Sequence, residues 1–134
     1  MTTTDKSHLI DVVALILIQN EKVLVAQRPK DDKLAMKWEF PGGKIEPGET
    51  PEVALEREIQ EELGVKIKVK SYFMTSVYKA NVPIRLHAYK AELVDGLPIS
   101  IVHNEVRWVN LKELNQLDFA PADIPILNAI INLE

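Results

Sequence analysis

Seven glutamates fall between residues 46 and 62 (Glu46, Glu49, Glu52, Glu56, Glu58, Glu61 and Glu62), with Arg57 the one basic residue among them. On a helix, residues three and four apart share a face, so Glu58 meets both Glu61 and Glu62. Like charges so placed cost a helix roughly a few tenths of a kcal/mol per pair and raise one another's pKa. A bound cation would offset that cost. Carboxylate oxygens suit Mg²⁺, which works with a few carboxylates, water and substrate phosphates, and Mn²⁺ is a workable substitute. Surface glutamates are common, and the stretch taken alone also fits a solvated acidic face. Two neighbours argue for chemistry. Gly42-Gly43 ends an expected strand just upstream, where glycine permits close backbone approach and leaves carbonyl and amide groups for a ligand. Arg57 stands beside the carboxylates and can hold one of them in a fixed rotamer.

The elements that must position these groups follow from periodicity. Thr50 is a good N-cap, Pro51 suits the first helical turn, Leu55, Ile59 and Leu63 recur every four residues, and Gly64 sits where a helix ends. Residues 9–19 are almost continuously apolar and β-branched, which predicts a buried strand. Asn20-Glu21 reads as a tight turn, and Lys22 to Gln27 as its hairpin partner. Trp38-Glu39-Phe40 is a short strand stopping at Pro41. Residues 66–78, 84–93 and 106–109 read as further strands, the last followed by a helical turn capped by Asn110. Residues 121–133 read as a terminal helix with Ile124, Leu127, Ile130 and Ile131 inward. The mixture, with hairpins, is an α+β sandwich.

Size and composition bound the rest. A chain of 134 residues fits one domain, and 46% hydrophobic against 27% charged residues is enough for a core. Residues 1–8 are polar and read as a short disordered arm, leaving 9–134 as the domain. Without cysteine, disulfides, thiolate zinc sites and cysteine nucleophiles are excluded, and the cytoplasm is the expected compartment. No apolar run spans a bilayer. A net charge of −4 without a basic stripe argues against stable nucleic-acid binding. Monomer and homodimer are both compatible with the sequence.

The stretch from Gly43 through Glu49, Arg57-Glu58-Ile59 and Glu61-Glu62 to Gly64-Val65 resembles the Nudix box: Gly, five residues, Glu, seven residues, Arg-Glu-aliphatic, one residue, Glu-Glu, one residue, Gly-aliphatic. All nine constrained positions are filled, which makes the match far more specific than a short glycine motif. The resemblance implies a mixed β-sheet sandwiched between helices, and hydrolysis of a nucleoside diphosphate linked to another group. By position, Glu58, Glu61 and Glu62, with the Gly42 carbonyl, resemble the metal ligands. Arg57 resembles the residue that orients a catalytic carboxylate, and Glu49 the box glutamate that supports the site. Glu58 is the first choice for the general base, with Glu61 close behind. Relatives often add an acid from the loop before the last strand, in a segment like Glu-His-x-Glu-x-x-Trp. Here Val102 stands at that first position, and Glu105 either substitutes or sits in solvent.

Val23 to Pro29, Trp38 to Lys44 and Phe119 to Pro125 resemble the MutT-like branch, which contains 8-oxo-dGTP diphosphatases and a CTP pyrophosphohydrolase. That resemblance implies a nucleoside triphosphate substrate cleaved to the monophosphate and pyrophosphate. It puts Arg28 and Lys44 near the phosphates and Phe40 near the base, although Phe40 also reads as an ordinary core aromatic. Asp123 stands where an asparagine reads the base in the oxidised-guanine enzyme. Ionised, it would accept from the cytosine amine; protonated, it could donate to a purine carbonyl; alternatively it caps the terminal helix. Cytidine triphosphates and 8-oxo-dGTP therefore compete as expected substrates. A Nudix reaction on ADP-ribose or a dinucleoside polyphosphate, and a non-catalytic Nudix binding module, are the alternative readings.

Overall fold

The protein, seen in a computed structural model, is described over residues 9–80 and 83–133. The arm expected over residues 1–8 lies outside the described residues. Strand β1 (Ile10–Ile16) leads into β2 (Ile18–Gln19), so the apolar run expected as one strand is divided at Leu17. There the chain changes partners, with the Leu24 N–H donating to the Leu17 carbonyl at 3.1 Å. Asn20 and Glu21 both take positive φ, 52° and 65°, which gives the tight turn into β3 (Lys22–Gln27). β4 (Trp38–Glu39), β5 (Gly42–Lys44), α1 (Pro51–Leu63), β6 (Lys66–Tyr78), β7 (Ile84–Asp95) and β8 (Glu105–Asn110) follow.

One sheet has the order β5-β1-β7-β6, with β1 and β7 parallel and the other pairs antiparallel. In the second, β3 pairs with β2, β4 and β8, all antiparallel. Alternation along β1 sends Val13, Leu15 and Leu17 to one face and Ala14 and Ile16 to the other. The first face packs on Leu55, Ile59 and Leu63 of α1; the second packs on Ile126, Leu127 and Ile130 of α2 (Ile124–Ile131). The mixed sheet is thus held between helices, as expected.

Helix α1 begins and ends where its residues dictate. Thr50 Oγ1 accepts the Val53 N–H at 3.2 Å, and Gly64, at φ 69°, closes the helix with its N–H on the Gln60 carbonyl. The C-terminal helix departs from expectation. Residues 121–123 form a 3₁₀ turn, and only Ile124–Ile131 are α-helical. The tighter turn shifts the helix's phase, so Ile126 takes an inward place and Ile124 is 41% exposed.

Candidate active site

Strand β5 and helix α1 meet at two glycines, each for its own steric reason. A Cβ on Gly42 would lie 1.8 Å from the Val13 carbonyl oxygen, so this glycine lets β5 close onto β1. A Cβ on Gly43 would lie 2.3 Å from the Glu58 carboxyl carbon, so this one makes room for the box carboxylate. The close approach expected at the pair therefore serves β1 and Glu58. Arg57 fixes the acidic cluster from the other side. Its Nε and Nη2 donate to the two oxygens of Glu49 at 2.6 and 2.9 Å, its Nη1 reaches Glu58 at 3.2 Å and Glu61 at 3.3 Å, and Nη2 also meets the Lys44 carbonyl. The hydrogen bonds from Arg57, with that from the Glu46 N–H, hold the Glu49 carboxyl down at about 2. Glu62 moves the opposite way, up to about 9, because burial and the adjacent Glu58 carboxyl disfavour its charge.

Two residues that sequence reasoning did not single out complete this cluster. Glu39 receives Arg28 Nη1 at 2.6 Å on one oxygen and lies 2.9 Å from His103 Nε2 on the other. His103 Nε2 is also 3.9 Å from Glu62 Oε1. The available signal was a charged residue set between two aromatics in Trp38-Glu39-Phe40. Val102, where an acid was looked for, is exposed, and Glu105 turns to Arg107 at 2.8 Å on the strand surface. Arg28 is committed to Glu39 and to Asp32, the latter at 2.7 Å.

Asp123 is brought to Phe40 by the segment before it. The Trp38 N–H donates to the Asp118 carbonyl and the Ala120 N–H to the Trp38 carbonyl, which lays residues 118–120 beside β4. Asp123 Oδ2 then accepts the Phe40 N–H at 2.9 Å, and its side chain does not cap α2. Burial, and then the nearby charge of Glu39, push its carboxyl well above the usual range. The Phe40 ring lies in the core against Phe119, so its N–H is the group directed at Asp123. Lys44 lines an open cleft of about 770 Å³ beside the box loop, together with Asp11, Glu46, Glu49, Arg85 and His87. That cleft touches Glu49 and reaches neither Glu58 nor Glu62.

In class this is an α+β hydrolase whose acidic helix is seated on a glycine at a strand end. The NUDIX domain model matches residues 8–130, and the chain belongs to that family. It is 39% identical over 126 residues to the CTP pyrophosphohydrolase of Escherichia coli K12, covering 93% of each chain. It is 38% identical over 116 residues to the 8-oxo-dGTP diphosphatase of the same organism, covering 86% of this chain and 90% of that one. The solution structure of the E. coli ORF135 protein superposes with a TM-score of 0.81 at 39% identity, covering 93% of this chain and 90% of that one.

Nudix hydrolases generally use divalent metal ions. Among the described residues no three carboxylate or imidazole groups already converge on one point, and Glu61 is turned to Arg57. The donor set still fits such an ion. Glu62 Oε1 is buried without a hydrogen-bond partner, and Glu62 stands against Glu58 with its charge suppressed. A hard cation is the partner that would relieve both conditions.

Proposed function

We propose that residues 9–134 act as a Mg²⁺-dependent nucleoside triphosphate pyrophosphohydrolase of the cytoplasm, converting a cytidine-type triphosphate or 8-oxo-dGTP to the monophosphate and pyrophosphate. The observation that carries the reading is the seating of two acidic groups at the ends of one short segment. Asp123 is bonded at Phe40 and Glu58 is seated at Gly43. Three residues of extended chain span at most about 10 Å, a separation that a nucleotide bridges from base to phosphates. The relatives named for CTP and for 8-oxo-dGTP support the same two substrate classes.

In this reading Glu58, Glu61 and Glu62, with the Gly42 carbonyl, hold the metal. The bound ion would neutralise the phosphates and acidify a water. To join the other two carboxylates, Glu61 would exchange its contact with Arg57 for the ion. Arg57 and Gly43 keep Glu58 in one position, where it is the first candidate to take the proton of the attacking water. The water oxygen adds to a phosphorus flanking the bridge between the α and β phosphates. That bridge breaks, and the electron pair departs on the leaving phosphate. The family resemblance assigns Arg28 and Lys44 to the phosphates and Asp123 to the base, with Arg28 acting from its pairs with Glu39 and Asp32.

The test is pyrophosphate release with Mg²⁺ from CTP, dCTP, 5-methyl-dCTP, 8-oxo-dGTP, dGTP and ADP-ribose, for the wild type and Glu61→Gln. Turnover of a cytidine triphosphate or 8-oxo-dGTP that falls about 100-fold or more in the variant supports the reading. Turnover of ADP-ribose alone refutes the substrate class, and no turnover of any compound refutes the reaction.

A further inference from the structure

Three buried side-chain atoms lack a hydrogen-bond partner among the described residues: Arg28 Nε, Glu62 Oε1 and His103 Nδ1. All three belong to one connected run, Arg28–Glu39–His103–Glu62, of which only Glu62 lies in the Nudix box. Buried polar groups are ordinarily satisfied, so unsatisfied atoms gathered in one place mark a site built to meet something else. His103 reaches this run from a loop that is fastened twice. The Ile99 and Ile101 N–H groups donate to the Leu63 and Glu62 carbonyls at the end of α1, at 3.0 and 3.3 Å. Beyond His103, the Asn104 N–H donates to the Gln27 carbonyl at 2.8 Å and its Nδ2 to Gln27 Oε1 at 2.7 Å. Within this tether the usual order is inverted. The apolar Val102 is 53% exposed, whereas the His103 side chain is only 4% exposed, deeper than the Glu58 or Glu62 side chain. Packing alone gives no reason to turn the valine outward and the imidazole inward.

We infer that His103 is a positioning residue for the hydrolytic reaction: hydrogen-bonded to Glu39, it sets its imidazole 3.9 Å from the Glu62 carboxylate, bounds the space that carboxylate can take, and ties loop 97–104 to the metal-bearing end of α1. The inference rests on the reading of Glu62 as a metal ligand. Glu39 takes its own place from Arg28, so the run transmits the rigidity of β3 and β4 to a carboxylate on α1.

The experiment compares His103→Ala, His103→Gln, His103→Leu and Glu62→Gln in the full chain, well below each variant's Tm. The readouts are Mn²⁺ affinity without nucleotide, by electron paramagnetic resonance, and kcat and KM for the best triphosphate. The Gln amide N–H reaches about as far as imidazole Nε2, whereas Leu fills similar space without a donor. His103→Ala and His103→Leu are expected to lose about 10-fold or more in Mn²⁺ affinity and kcat with KM little changed, and His103→Gln to recover most of both. Full recovery by Leu and not by Gln would mean that His103 only fills space. Wild-type Mn²⁺ affinity and kcat in His103→Ala would also overturn the inference. Glu62→Gln separates the two ideas. If it keeps full Mn²⁺ affinity, the metal reading falls and takes the role of His103 with it; if it loses Mn²⁺ while His103→Ala does not, only the inference about His103 falls.

Discussion

Replacing Gly43 by alanine tests the acidic site with one methyl group. The added carbon would stand 2.3 Å from the Glu58 carboxyl carbon and 2.5 Å from each oxygen, where ordinary contact begins at 3.4 Å. The carboxylate must therefore retreat by about 1 Å, against Arg57 Nη1, and a misplacement of that size costs about 100-fold in rate. The fold pays little. Gly43 does not occupy the left-handed region, so alanine fits its backbone and stiffens the unfolded chain, a gain of about 0.4–1 kcal/mol. A shifted Glu58 rotamer costs about 0.5–1.5 kcal/mol, so the two nearly cancel. The expected result of Gly43→Ala is a kcat for pyrophosphate release down about 100-fold with Tm nearly unchanged. The neighbouring glycine supplies the contrast. At Gly42 the added carbon meets backbone 1.8 Å away, so Gly42→Ala should lower Tm by separating β5 from β1. If Gly43→Ala keeps kcat within about threefold of the wild type, the position of Glu58 does not govern the reaction and the argument fails.

Arg57→Lys keeps the charge but loses the fork that grips both Glu49 oxygens, so kcat should fall about 10-fold or more. In the same variant the Glu49 carboxyl should titrate well above about 2, readable by NMR. Because the depressed value stabilises the fold above the ordinary carboxylate range and that contribution fades as pH falls toward 2, the Tm gap between wild type and variant should narrow in acid. Glu62 has the opposite sign. Its folded value near 9 means that the native state holds a proton the unfolded state has released, so metal-free stability should decline as pH rises from about 5 to 9. Mg²⁺ should displace that proton, and its stabilising effect should be larger at pH 8.5 than at pH 6. Calorimetry of Glu62→Gln, in which both trends should vanish, checks this.

What the sequence made legible was local. The cap at Thr50, the stripe Leu55-Ile59-Leu63 and the stop at Gly64 are short-range rules, and each holds in α1. The spacing of the box carries the clamp of Arg57 on Glu49 in the same way, since eight residues of loop and helix decide it. Glu39 and His103 are 64 residues apart and meet only because β3 pairs with β4 on one side and β8 on the other. No periodicity reports such a meeting. Glu105 stands two residues from Arg107 on β8, on the same strand face, and the two pair with each other, a contact that the motif resemblance did not disclose. Phe40 carried two readings in the sequence, base neighbour and core aromatic; its ring packs in the core against Phe119, and its backbone N–H, which no side-chain pattern reports, holds Asp123.

That bond also changes how base recognition by Asp123 should be argued. Burial, and then the nearby charge of Glu39, push this carboxyl toward its neutral form. Neutral, it offers a donor and an acceptor, and this pair is complementary to the amine and ring nitrogen of cytosine as well as to the carbonyl and N1–H of guanine. The carboxylic acid and the asparagine amide then become near equivalents, with matching shape and hydrogen-bonding capacity. Asp123→Asn should keep kcat/KM for the preferred triphosphate within about 10-fold at pH 7, since at most one hydrogen bond is altered. It should also abolish any decline in affinity at high pH, because the amide cannot ionise. A charged aspartate working as a pure acceptor predicts the reverse. Asparagine would then present donors to the cytosine amine, and the ratio of CTP to 8-oxo-dGTP turnover would fall by about 10-fold or more at pH 7. Measuring that ratio across pH 6–9 for both proteins distinguishes the two states, and a large fall at neutral pH would mean that the base meets an ionised Asp123 despite its burial.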